Sequence, residues 1–169
     1  MENLEKEQSS KISQEEIKKY LKDLNSGDTK SRAIAAYMLG TLGKTDKKIK
    51  DSLTKALKDD DWEVKKWAAL SLGEMGEKDS KLVPILIDVL KRDDSKEFRS
   101  HAAVILGELE QRAIPAIAVL GEALKDDSTR VREWANWALN KIAGNRPSYR
   151  VNYPTERPSL KEKIRTIHK

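Results

Sequence analysis

The chain has 169 residues, 33 Lys and Arg against 28 Asp and Glu, 36% charged residues, 5% aromatics and no cysteine. Disulfides, thiolate metal sites and cysteine nucleophiles are therefore excluded, and the composition suits long, surface-rich helices better than a sheet. The net charge of +5 is concentrated: residues 1–144 hold 26 basic and 26 acidic side chains, whereas 145–169 hold 7 and 2. A neutral body gives no electrostatic reason to expect nucleic acid on it. The absence of an apolar run near 18 residues, and of a hydrophobic stretch in MENLEKEQSS, leads to the expectation of a cytoplasmic protein without a membrane span.

Residues 1–13 are polar and unpatterned, which predicts a flexible lead-in. Ser13 and Glu16 have the spacing of a capping box, in which each side chain accepts the other's backbone N–H. That predicts a helix start there, with Ile17, Tyr20, Leu21 and Leu24 on one face. Asn25–Asp28 breaks this helix, and the next, about 29–42, should end at Gly43 as a left-handed C-cap. A second unit follows with Ile49, Leu53, Ala56 and Leu57, an acidic turn at Asp59–Asp61 and Asp61 as N-cap of a helix beginning at Trp62. The third carries Leu82, Val83, Ile85, Leu86, Val89 and Leu90, the turn Asp93-Asp94-Ser95 and a helix to about Leu109. The fourth carries Ile114, Ile117, Leu120 and Leu124, the turn Asp126-Asp127-Ser128 and a helix to about Ala143. Pro84 and Pro115 fall early in their helices, where a missing N–H costs little; Pro84 sits deep enough to raise the alternative of a kink.

Aligned on the turns, Leu24, Leu57, Leu90 and Leu124 are 33, 33 and 34 residues apart. Such a period marks stacked helical repeats, none of which buries its apolar face alone. With Ser31, Val64, Phe98 and Val131 as reference positions, four residues later come Ala35, Ala68, Ala102 and Ala135, and eight later Leu39, Leu72, Leu106 and Leu139. Five later come Ala36, Ala69, Ala103 and Asn136, and nine later Gly40, Gly73, Gly107 and Asn140. Small residues there let helices approach closely, and the asparagines of the fourth copy suit a last repeat whose outer flank meets water. The domain reading is a flexible segment 1–13, an array 14–144 (repeats 14–43, 46–76, 79–110 and 112–144) and a basic, proline-containing tail 145–169.

The stretches LKDDDWEVKKWAALSLGEMG from Leu57, AIPAIAVLGEAL from Ala113 and LKDDSTRVREWA from Leu124 resemble the HEAT-repeat superfamily, especially the short repeats first associated with phycobilin lyases. The resemblance spans about residues 14–144. It implies an all-α, right-handed α-solenoid of four HEAT-like helical hairpins, and it implies fold rather than activity, since scaffolds, lyases and metal hydroxylases share it. It also implies that the basic residues after the reference positions, Arg32, Lys65, Arg99 and Arg132, form a ladder bonding turn acids and carbonyls, Asp61 and Asp127 among them; phosphate binding is the alternative. Hydroxylase relatives bind iron through His-Glu dipeptides, and neither His101 nor His168 is followed by Glu.

No catalytic constellation emerges. Nucleophilic catalysis would need a base beside Ser or Thr, and His101 is the single histidine of the repeat body. The turn carboxylates are explained by capping and helix-dipole effects. Asp59-Asp60-Asp61 lacks the alternate spacing of a calcium loop, and the recurrent glycines lie inside helices rather than in a phosphate loop. No catalytic residue, metal or cofactor is expected.

Six residues after the reference lie Tyr37, Leu70, Val104 and Trp137, pointing towards the concave wall of such an array at about 100° per residue. Three after it lie Ile34, Trp67, His101 and Trp134, with Lys66 beside them. One reading packs both columns between stacked helices; the other makes them an apolar groove for a partner, with Trp and Tyr as anchors. The candidate partner-binding set is Tyr37, Lys66, Trp67, Leu70, His101, Val104, Trp134 and Trp137. Three readings stand for the tail: disorder, docking on a protein or on its own array, or binding RNA or an anionic surface. Its candidate contacts are Arg146, Tyr149, Arg150, Tyr153, Arg157, Lys161, Lys163 and Arg165, and Leu160, Ile164 and Ile167 fall at helical spacing. The expected function is that of a non-enzymatic protein-binding adaptor or assembly factor. The alternative is nucleic-acid binding through the tail, on ribosome-like RNA or DNA. Minor alternatives are a bilin-lyase-like subunit and a HEAT-like DNA glycosylase, whose tryptophan-lined site would draw on Trp67, Trp134 and Trp137.

Overall fold

The computed structural model describes residues 2–42 and 46–144, with side chains from residue 14 onward. Among the described residues it is all helical: α1 Glu2–Ser26, α2 Thr29–Leu42, α3 Lys47–Ala56, α4 Trp62–Glu74, α5 Leu82–Arg92, α6 Lys96–Glu108, a 3₁₀ segment Glu110–Ala116, α7 Ile117–Ala123 and α8 Thr129–Ile142. No described helix is long and apolar enough to cross a membrane. The chain divides into two units, Met1–Met75 and Gly76–Lys169, each holding two helical hairpins.

In the first unit α2 packs on α1 and on α4, and α3 on α4. The apolar spacing read from the sequence is the cause: Leu21 and Leu24 of α1, Ile49 and Leu53 of α3, and Ala35, Ala36 and Leu39 of α2 are all buried. One start differs from expectation. Helix α1 begins at Glu2 and runs through Ser13, so Ser13 and Glu16 lie within a helix and do not cap one. Residues 2–12 contain no glycine or proline to break it, and Glu, Leu, Lys and Gln are good helix formers. Asp61, by contrast, is the N-cap of α4, accepting from the amides of Glu63 at 2.8 Å and Val64 at 3.3 Å. Gly43 lies outside the described residues.

In the second unit α6 packs on α5 and α8, and α7 on α8 and α5. Pro84 is the third residue of α5, where no intrahelical N–H bond is lost. The fourth hairpin opens less regularly than its periodicity suggests, since Pro115 lies in the 3₁₀ segment and the α-helix begins only at Ile117. The turns after α4, α6 and α8 all take a left-handed residue: Gly76 (φ 76°), Glu110 (φ 52°) and Gly144 (φ 69°). Glycine suits that conformation and glutamate does not.

Candidate functional site

The acidic turns come first, because they set the spacing of the helices behind them. Asp59, Asp93 and Asp126 each accept from the amide two residues on, at 2.9 Å, in Asp61, Ser95 and Ser128. These Asx turns hold the carboxylates rigidly. In the first unit the Arg32 guanidinium meets Asp59 with two parallel bonds of 2.8 and 2.9 Å and also donates to the Gly27 carbonyl. In the second unit Arg99 does the same to Asp126, at 2.8 Å twice, adds Asp127 at 2.7 Å, and donates to the carbonyls of Asp93 and Asp94. Arg132 then donates to the carbonyls of Asp126 and Asp127 from its own repeat.

Three of the four members of the ladder implied by the resemblance are therefore in place, Arg32, Arg99 and Arg132, whereas the Lys65 side chain bonds no turn acid or carbonyl among the described residues; Arg32 takes Asp59, and Asp61 is committed to its helix cap. The Arg32 bonds hold the Asp59 carboxyl below its ordinary range. Burial pushes Asp126 up, but the bonds from Arg99 and the Ser128 amide outweigh it and the net shift is downward. Bidentate arginine spent this way is structural.

The aromatic columns divide by burial. Lys66, Trp67, Leu70, His101, Val104 and Trp134 are buried, so a partner cannot touch them without the helices parting; Trp67 is 1% exposed. Of the two readings of these columns, packing between stacked helices holds for these six residues, and the groove reading is left with Tyr37 and Trp137. Lys66 is held by Glu63 at 2.8 Å. Alanines at the plus-four and plus-five positions bring the helices so close that neighbouring large side chains are enclosed; Ala68, Ala69, Ala102 and Ala103 are all fully buried. Only Tyr37 and Trp137 are half-buried.

Each of those two rings is backed by a buried one. Tyr37 meets Trp67 edge-on with centroids 5.2 Å apart, and Trp137 meets Trp134 edge-on at 5.4 Å, the arrangement that ring quadrupoles favour. Lys141 Nζ stands 6.0 Å from the Trp137 ring centroid, within cation–π range. Gly107 makes the seat for this ring, because a Cβ there would overlap it. The Trp134 indole N–H is buried with no acceptor among the described residues.

Sequence reasoning missed the exposed apolar residues. Trp62 is the most open tryptophan, at the first position of α4. Ile114, Ile117 and Leu124, assigned to the apolar face of their helix together with Leu120, are exposed, and of the four only Leu120 is enclosed. The tail residues Arg146, Tyr149, Arg150, Tyr153, Arg157, Lys161, Lys163 and Arg165, and also His168, lie outside the described residues. Among the described residues no group of three or more His, Asp and Glu side chains could hold a metal ion.

No curated protein matches the sequence. Among solved structures, the chain is similar to the complex of CpcE and CpcF of phycocyanin lyase from Nostoc sp. PCC7120 at 22% identity and a TM-score of 0.50, covering 75% of this chain and 64% of that one. It is also similar to human deoxyhypusine hydroxylase in complex with glycerol at 21% identity and a TM-score of 0.47, covering 88% and 52%. The chain thus spans less than two thirds of either, and the likeness to the lyase complex shows the fold alone. The model of the family described as HEAT repeats matches residues 17–89 and 83–162. The hairpin pairs, the acidic turns and that match agree: the chain belongs to the HEAT-repeat family, and its fold is of the all-α solenoid class.

Proposed function

We propose that this chain is a non-enzymatic protein-binding scaffold, and that Tyr37 and Trp137 are where a partner gains most of its affinity. The observation that carries this is the pairing of each half-exposed ring with a buried tryptophan. A ring already fixed by its neighbour loses little freedom on binding, which is what makes aromatic side chains effective anchors. Membership of a repeat family that presents broad helical surfaces supports the same reading. The polar groups of the turns support it as well, being engaged in holding the hairpins together.

The test is recovery of partners from native lysate on the full chain, with and without nuclease, followed by affinity measurements on what is recovered. A protein retained after nuclease and weakened by Trp137→Ala or Tyr37→Ala by roughly thirtyfold, about 2 kcal/mol, would support the scaffold. Thermal melts of both variants would separate lost contact from lost fold. Recovery that depends on RNA, falls steeply with salt and survives both substitutions would overturn it. The seven basic residues of 145–169 would then be the binding element.

A further inference from the structure

The first helix of the fourth hairpin carries an apolar stripe that nothing among the described residues covers. The 3₁₀ segment passes into α7 through a bond from the Ile117 amide to the Ile114 carbonyl, and residues three apart in 3₁₀ geometry eclipse one another. Ile114 therefore stands in line with Ile117, and Leu124, seven α-helical residues further on, continues the line. These three side chains are 55%, 43% and 40% exposed. Between the last two lies Gly121, where a Cβ would meet nothing within 4 Å. One repeat earlier, in the same unit, the residues aligned with Ile117 and Leu124 are Val83 and Leu90, which are 3% and 4% exposed. Helix α5, which carries them, lies against α7 and the 3₁₀ segment. On α8 of the fourth hairpin the end is polar, with Asn136 exposed and Asn140 half-exposed, so the stripe is confined to one helix. Apolar side chains left open at stacking positions mark a contact surface.

We infer that the stripe joins two copies of this chain, α7 of one lying antiparallel on α7 of the other about a twofold axis at residue 119. The stripe is complementary to its own reverse: it is large at Ile114 and Ile117, empty at Gly121 and large again at Leu124. An axis at 119 sets Ile117 of each copy into the space at Gly121 of the other, and Ile114 against Leu124. A twofold contact requires such a self-matching patch, and it closes after two copies. The charges obey the same axis. Arg112 is exposed and has no ion-pair partner among the described residues. The axis brings it to the turn Asp126-Asp127 of the other copy, where the Asp127 side chain is 89% exposed. Glu122 and Lys125 fall opposite Ala116 and Ala113, so no like charges are set directly against each other. Residues 1–144 hold 26 basic and 26 acidic side chains, which leaves no net repulsion between two repeat bodies. A stripe about 16 Å long buries less than the roughly 1,600 Å² of a standard interface, so the dimer is weak, with a Kd of the order of 50 μM. It uses neither Tyr37 nor Trp137.

Sedimentation equilibrium of the full chain from about 5 to 500 μM, a range that brackets a dimer this weak, is the test. The expected result is a monomer–dimer equilibrium that Gly121→Leu weakens at least tenfold by filling the space Ile117 of the other copy enters. The same substitution should leave circular dichroism unchanged and raise the Tm of the dilute monomer, since its Cβ has open space in this chain and leucine is the better helix former. A wild-type chain that stays monomeric throughout would overturn the inference, leaving the stripe to a different protein or to the rest of the chain. Assemblies that grow past the dimer would overturn the twofold. Dimerisation unaffected by Gly121→Leu would place the contact elsewhere and overturn it too. The register has its own readout, because the chain has no cysteine. Ile117→Cys and Gly121→Cys chains are mixed and mildly oxidised, and the mixed disulfide should form about tenfold faster than either homodisulfide, whose Cα atoms the axis holds too far apart. Equal rates would overturn the antiparallel pairing.

Discussion

The two units solve one packing problem with different side chains. In the first, α2 and α4 close on Gly40, and the space its missing Cβ leaves is taken by Ser71, whose hydroxyl donates to the Ala36 carbonyl at 3.0 Å. In the second, α6 and α8 close on Gly107, and the space is taken by the Trp137 ring. The turns differ in the same direction: Arg32 grips one carboxylate and one carbonyl, Arg99 two of each. A recurrent glycine therefore specifies that a space exists, not what fills it. The filling decides whether a repeat presents a small polar group or a large ring.

The glycines offer the sharpest way to break that equivalence. Alanine in a helix interior gains about 1 kcal/mol over glycine, but a Cβ at either site collides. At Gly107 it would overlap the Trp137 ring and come within 2.9 Å of the Ala138 Cα, which is backbone and cannot swing away. Overpacking of that kind costs about 3 kcal/mol at its upper end, so Gly107→Ala should destabilise by about 2 kcal/mol net in chemical denaturation. At Gly40 the colliding atoms are mostly the Ser71 side chain. Adding Ser71→Gly should therefore restore much of what Gly40→Ala loses, whereas adding Trp137→Ala should restore little of the Gly107→Ala loss. Equal rescue in both units would show that the two seats are equivalent after all.

The arginines come next in size. Arg99→Met keeps the packed stem and removes the charge-assisted bonds to Asp126 and Asp127, for a loss of about 1–2 kcal/mol at neutral pH. Arg32→Met should lose less, since it has fewer bonds to give up and its side chain is more open. The pH dependence checks the cause. Asp59 and Asp126 titrate lower in the folded chain than in the unfolded one, so the stabilisation is complete above the unfolded carboxylate value near 3.9 and is lost as pH falls through the folded values. Melts between pH 6 and pH 3 should show the wild-type advantage over Arg99→Met shrinking as acid is added. A gap that stays constant would mean that packing, not the ion pair, separates the two proteins.

Much of this organisation was legible in the residues. The leucine period, the alanine columns and the asparagines replacing small residues at 136 and 140 placed the hairpins, because a repeat writes the same packing constraint several times. Side chains facing one another were harder to read. Trp67 and Trp134 were placed on a possible groove because angular position on a helix does not say how closely the next helix approaches, and the alanines beside them close that distance. Ile114 and Leu124 were read as enclosed because they share spacing with Leu120, yet burial at those positions requires a following element. Asp61 was expected among the acids of the ladder; that Arg32 bonds Asp59 instead depends on which carboxylate of the turn is already committed to the cap. The start of α1 was misplaced because a capping motif is weaker evidence than the absence of any breaker ahead of it.

The smallest effect concerns how the hairpins end. After α4 and α8 the left-handed position is held by Gly76 and Gly144, and after α6 by Glu110 at φ 52°. A side chain in that conformation costs roughly 1 kcal/mol, and a carboxylate at a helix C-terminus faces the negative end of the dipole. Against this stand a 3.8 Å contact to Lys141, half-exposed on both sides and so worth little, and the extra freedom that glycine gives the unfolded chain. Glu110→Gly should therefore stabilise the second unit by about 0.5 kcal/mol, a rise in Tm of one or two degrees. Glu110→Ala would retain the strained conformation while losing the charge, and so should gain only the dipole part. If both substitutions give the same gain, the electrostatic term is the whole effect and the backbone at Glu110 is not strained. If glycine alone gains, the second unit carries at Glu110 a cost that the turns after α4 and α8 avoid.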